Sequence, residues 1–114
     1  MNDIEEKNAV ITDASINIQQ GFLLDAWIYL EYKDGGQGFG GYVLYTSSGN
    51  QPGNYCGLFL YRVMEIAGVE KWDDLKGKTI RVRANHSGVK EIGHIIKDDW
   101  FNPKEEFKKL GALV

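Results

Sequence analysis

Apolar and polar positions alternate along the first third of the chain. Over residues 8–18, Val10, Thr12, Ala14, Ile16 and Ile18 share one face with mostly polar residues between them. That two-residue period predicts a strand with one side toward a core. Gln20-Gly21 then reads as a turn. Residues 22–32 repeat the pattern, with Phe22, Leu24, Ala26, Ile28 and Leu30 on one side and Leu23, Trp27 and Tyr29 on the other. The second side is too apolar for free solvation, so a helix or another subunit is expected to cover it, with Trp27 and Tyr29 as interface residues. Residues 33–41 hold the densest run of glycines and are expected to form a loop, and 42–46 (YVLYT) read as a third strand.

The period changes after 47–54 (SSGNQPGN), which is turn chemistry throughout. Over 55–67, Cys56, Phe59, Leu60, Val63, Ile66 and Ala67 recur at helical spacing, with Asn54 placed to cap the first turn and Gly68 to close the last. Residues 72–75 suit a short helical turn ended by Gly77. Strands are expected at 79–84 and 89–96, joined as a hairpin by Asn85-His86-Ser87-Gly88. Asn102-Pro103-Lys104-Glu105 puts a cap, a first-turn proline and a glutamate in the order that opens a helix. The order β-β-β-α-β-β-α predicts an α+β fold: an antiparallel sheet of about five strands packed on one main helix, with a short C-terminal helix.

With 114 residues, the chain is expected to be a single α+β domain over 1–114, and 43% hydrophobic against 25% charged residues is the balance of a globule. A formal charge of −3 argues against binding duplex nucleic acid, which needs a basic face, and is too small for a carboxylate array imitating phosphates. The one cysteine, Cys56, has no intramolecular partner, which fits a reducing compartment. No apolar run nears the roughly 20 residues that span a bilayer, and the opening MNDIEEKN is acidic where a signal peptide is basic. The expectation is a cytoplasmic protein with no membrane partner.

The candidate chemistry centres on Gly36-Gln37-Gly38-Phe39-Gly40-Gly41-Tyr42-Val43, which satisfies GxGxxGxV, the phosphate-covering pattern of protein kinases. Glycine lets backbone N–H groups approach phosphate oxygens with no side chain between them. No other kinase motif follows, and a Rossmann reading fails because a strand follows the last glycine. Two readings stay open: a tight β-β connection, or a ligand-facing loop in which Gln37 offers an amide and Phe39 a stacking ring. Arg81 and Arg83 alternate with apolar residues, so both forks leave one sheet face, about 7 Å apart by strand rise. They suit a phosphate-bearing ligand or a carboxylate surface. Arg62 lies beside the apolar stripe of the helix, paired with a carboxylate, stacked on an aromatic or facing a ligand.

Other reactive residue types form no motif. His94 shares a face with Ile92 and Ile96, as a partly buried core histidine would, and Cys56 is expected to point inward. Ser15, Ser47, Ser48 and Ser87 have no motif partner, and the pairs Asp73-Asp74 and Asp98-Asp99 read as solvated loop acids. No metal-ligand spacing is present, so neither metal nor cofactor is expected. Trp100-Phe101 either anchors the last helix or lines a pocket or subunit interface.

Three blocks, GQGFGGY (36–42), FLYRVMEIAGVEKWDDLKGKTIRVR (59–83) and IGHIIKDDWFNP (92–103), resemble a family of short phage- and prophage-encoded proteins over roughly residues 14–105. The resemblance transfers no catalytic residues. It implies an accessory phage gene, and by analogy one that counters bacterial defence from the host cytoplasm. The function expected is a non-enzymatic protein that sequesters a small phosphorylated, nucleotide-type immune signal. Gly36, Gln37, Gly38, Phe39, Gly40, Arg62, Arg81, Arg83 and Trp100 would hold it, and Trp27 and Tyr29 would join the subunits of a homo-oligomer. The alternative is a protein–protein inhibitor that occludes a host defence effector such as a CRISPR-associated protein.

Overall fold

A computed structural model of the chain describes residues 3–47 and 55–112. The expected cap at Asn54, Ser48, and all but the first residue of the 47–54 turn lie outside those residues. In chain order the elements are β1 (Glu5–Gln19), β2 (Leu23–Tyr32), β3 (Gly35–Gly40), β4 (Tyr45–Thr46), α1 (Tyr55–Ala67), a 3-10 turn (Trp72–Asp74), β5 (Thr79–Asn85), β6 (Gly88–Gly93), β7 (Trp100–Phe101) and α2 (Pro103–Ala112). The fold is α+β, as expected, but its antiparallel sheet has seven strands among the described residues rather than about five. Their order is β3-β2-β1-β5-β6-β7, with β4 pairing β2 beside β3.

Two local signals hold at residue level. At the end of α1, Gly68 adopts a φ of 74°. There the Val69 N–H reaches Met64 O at 3.0 Å and the Gly68 N–H reaches Glu65 O at 3.2 Å. This is the left-handed closure that only glycine makes without strain. At the start of α2, Asn102 Oδ1 accepts the Glu105 N–H at 3.2 Å, satisfying one of the donors that a helix start leaves free.

The phase of β1 differs from the expected one before residue 13 and agrees with it from Ala14 on. Ala9 and Ile11 are buried while Val10 is 40% exposed. The register with β2 slips between Ile11 and Asp13, and beyond this bulge Ala14 packs against the core. An inserted residue moves every later side chain to the opposite face, so one period cannot describe the whole strand.

The sheet curls until its two ends meet. β3 approaches β6 although three strands separate them in the pairing order. Gln37 clasps the two ends: its Nε2 donates to Asn85 O at 2.9 Å and its Oε1 accepts the Tyr32 hydroxyl at 2.8 Å. Helix α1 crosses the concave face and buries Phe59, Val63 and Ile66 against Ile28, Ile80, Val82 and Ile92. Phe39 stacks on Phe59 at 5.8 Å, and Phe101 meets both rings edge-on. Truncating one such ring costs about 3–5 kcal/mol.

Candidate functional site

The glycine run is not a loop. Gly35–Gly40 is strand β3, paired to β2 with Gly40 opposite Trp27, Gly38 opposite Tyr29 and Gly36 opposite Glu31. Its outer face is therefore glycine alone, and the aromatic side chains of β2 lie across it. A Cβ on Gly38 would meet the Trp27 ring at 3.1 Å, and one on Gly41 would collide with the same ring. Trp27 and Tyr29 stack on each other with ring centroids 6.1 Å apart. The doubly apolar strand has α1 on one side; on the other the Trp27 ring is seated on glycine while Tyr29 stays exposed.

Other expected ligand residues are committed elsewhere. Phe39 is 1% exposed in the core, so its ring is not free to stack on a base. Arg81 Nε and Nη2 donate to the carbonyls of His94 and Lys97, each at 2.7 Å. Arg83 pairs with Glu6 and Glu91, each at 3.4 Å, and its guanidinium lies over Trp100. Arg62 bonds Asp99, Glu65, Glu106 and the carbonyl of Trp100, tying α1 to β7 and α2. Burial by itself would lower its pKa, but the hydrogen bonds to Asp99, Glu65 and Glu106 prevail and raise it above the ordinary value. Arg62 and the Arg81–Arg83 pair do not converge with the glycines on one site.

His94 also departs from its expected place. β6 ends at Gly93, and the His94 Nδ1 accepts the backbone N–H groups of Ile96 and Lys97, both at 3.0 Å. The imidazole caps a turn rather than filling the core, and Ile96 is 84% exposed. Cys56 is partly buried against the core cluster. Among the described residues, no three His, Cys, Asp or Glu side chains are grouped to hold a metal ion, and no helix is long and apolar enough to cross a membrane.

One cleft gathers uncommitted groups. Beyond the Gln37 clasp the curled sheet stays open as a seam of about 480 Å³ between β3 and β6. Gly38, Gly40 and Trp27 line one side, Ser87, Gly88 and Lys90 the other, and Asn102, Lys104 and Glu105 of the α2 start close one end. Among the described residues no strand pairs the outer edge of β3, and β7 pairs β6 only at Ile92 and Gly93. Backbone edges thus face the seam from both walls. The three arginines are engaged, whereas Lys90 and Lys104 are exposed and make no ion pair among the described residues. Lone lysines on a hairpin and a helix carry no motif; the β6–β7 pairing sets them on one wall, and the curl of the sheet brings the glycines of β3 opposite.

No family model, curated protein or solved structure matches the chain.

Proposed function

We propose that the protein is a non-catalytic binding protein that captures a small phosphorylated ligand of the nucleotide type in the seam between β3 and β6. One observation carries the reading: side-chain-free backbone at Gly38 and Gly40 lies beside an indole ring and two lysines that have no ion-pair partner among the described residues, in a single open cleft. Glycine backbone admits phosphate oxygens, lysine neutralises them, and the Trp27 ring offers a face to a base. Gln37 acts as the clasp of the seam and not as a ligand group. In the setting of the phage-protein resemblance, the ligand would be an immune nucleotide of the host, held and not turned over.

Native mass spectrometry tests this before and after incubation with lysate of infected, defence-competent bacteria. A discrete added mass, released intact on denaturation and absent from a Lys90→Glu/Lys104→Glu double variant, is the expected result. Both side chains are exposed, so the variant should keep its fold. An added mass that the double variant retains would place the ligand elsewhere.

A second reading, occlusion of a host defence protein, is favoured by Tyr29, which is 41% exposed beside Trp27 on a flat aromatic surface. The absence of any added mass, together with retention of a host protein that Tyr29→Ala releases, would favour it.

A further inference from the structure

The 15-residue strand β1 is used unevenly. Residues Glu5–Val10 pair with β5, and from Val10 to Gln19 the strand pairs with β2. The β5 side closes at Ile11, whose N–H donates to Lys78 O at 2.8 Å and whose carbonyl accepts the Gly77 N–H at 2.7 Å. From Asp13 to Gln19, β1 has β2 on one side and no strand on the other among the described residues. The hairpin projects as an arm with an open backbone edge.

Sheet edges left open are ordinarily guarded by charge, proline or a bulge. Here the bulge and Asp13 mark only the start of the edge, and Ala14-Ser15-Ile16-Asn17-Ile18-Gln19 beyond them contains no charge and no proline. Ile16 and Ile18 are 46% and 71% exposed. Their cross-strand partners, Ala26 and Leu24, lie on the face that α1 covers farther along the sheet, so this apolar stripe runs out past the helix.

We infer that this edge pairs antiparallel with the same edge of a second copy of the chain, about a two-fold axis through Ile16. The segment is complementary to itself in that register. Ile16 faces Ile16 of the partner subunit and Ala14 faces Ile18 of the partner subunit, which keeps the apolar residues on one side. On the other side Ser15 meets Asn17 of the partner subunit, and Asp13, the only charge from 13 to 19, meets Gln19 of the partner subunit. No like charges oppose one another, and a shift by one residue would set isoleucine against polar side chains. Main-chain hydrogen bonds supply the affinity and the isoleucine stripe supplies the burial. The Asp13 carboxylate already accepts the Ala14 N–H at 3.0 Å, which ends the open edge at the bulge.

Sedimentation velocity over a range of protein concentrations tests the pairing. Wild type is expected to dimerise. Ile16→Lys and Ile16→Glu should each be monomeric where wild type is dimeric, a rise in dissociation constant of roughly tenfold or more from like charges set face to face. An equimolar mixture of the two variants should restore a dimer. Amide hydrogen exchange on the unaltered protein supplies a test free of any folding defect, since exchange at 14–18 should slow as concentration rises. A monomeric wild type, a dimer indifferent to both substitutions, a mixture that stays monomeric, or exchange at 14–18 independent of concentration would each overturn the inference. Exchange slowed only by a foreign protein would assign the edge to a different partner.

Discussion

The guanidinium of Arg83 lies 3.7 Å from the centre of the Trp100 ring, and that of Arg81 lies 4.9 Å from the same ring. Two cations and an indole that look like ligand groups in the sequence satisfy one another. Arg81→Ala is therefore expected to lower stability by about 1–3 kcal/mol, because two backbone carbonyls lose a charged donor. Ligand capture in the seam should be unchanged. Urea unfolding reads the first effect and native mass spectrometry the second; loss of capture in a folded Arg81→Ala protein would return Arg81 to the site.

Gly93 and Gly68 make a contrasting pair. A Cβ on Gly93 would lie 2.6 Å from the Trp100 ring, so Gly93→Ala must displace the indole from beneath the arginines. The expected cost is about 1–3 kcal/mol, with a change in tryptophan emission. Gly68 has open space around it and a φ of 74°, so Gly68→Ala pays only for the left-handed backbone, about 1 kcal/mol, and should leave the emission alone. Equal emission changes in both variants would remove the steric argument.

Arg62 joins three elements through four partners, with its side chain 14% exposed. Arg62→Met is expected to destabilise by about 2–4 kcal/mol, since Asp99 and Glu106 would lose their shared cation. Arg62→Lys should recover little, because an ammonium cannot reproduce the fork. Near-complete recovery by lysine would show that charge alone suffices.

Burial, with a smaller contribution from the Asp34 carboxylate, raises the Tyr32 phenol from 10.0 to about 12. In the unfolded chain it ionises at its ordinary value. Between those two pH values the folded state holds more protons, so stability falls as pH rises through the window, by roughly 2 kcal/mol. Tyr32→Phe should flatten that fall, although it also loses the hydrogen bond to Gln37. Chemical unfolding at pH 9, 10 and 11 measures the slope, and an unchanged slope in the variant would assign the effect to another group.

Where structure depends on neighbours in sequence, the sequence was legible. Helix α1 occupies the expected 55–67, its Gly68 closure and the Asn102 cap of α2 form as read, and the β5–β6 hairpin turns within 85–88. What could not be read depends on distant residues. Gly35–Gly40 looks like a loop because its strand character comes from β2 and its glycines make room for Trp27. Trp100-Phe101 becomes a strand only by pairing with Ile92 and Gly93. The phase of β1 is hidden by a bulge. Lys90 and Lys104 become neighbours only through the β6–β7 pairing, and they face Gly38 and Gly40 only after the sheet has curled.

The division of β1 between two partners also bears on how the chain acquires its shape. Its second half meets β2 across a short turn, a pairing available as soon as both strands have left the ribosome. Its first half waits for β5, with Glu6 reaching Arg83 from 77 positions away. Closing so long a loop is slow, and until it closes Ala9 and Ile11 lack the strand that flanks them in the finished sheet. Nascent chains that end before β5 hold the strands of the arm but an unfinished core, and that core is complete only once Ile92 and Phe101 have followed.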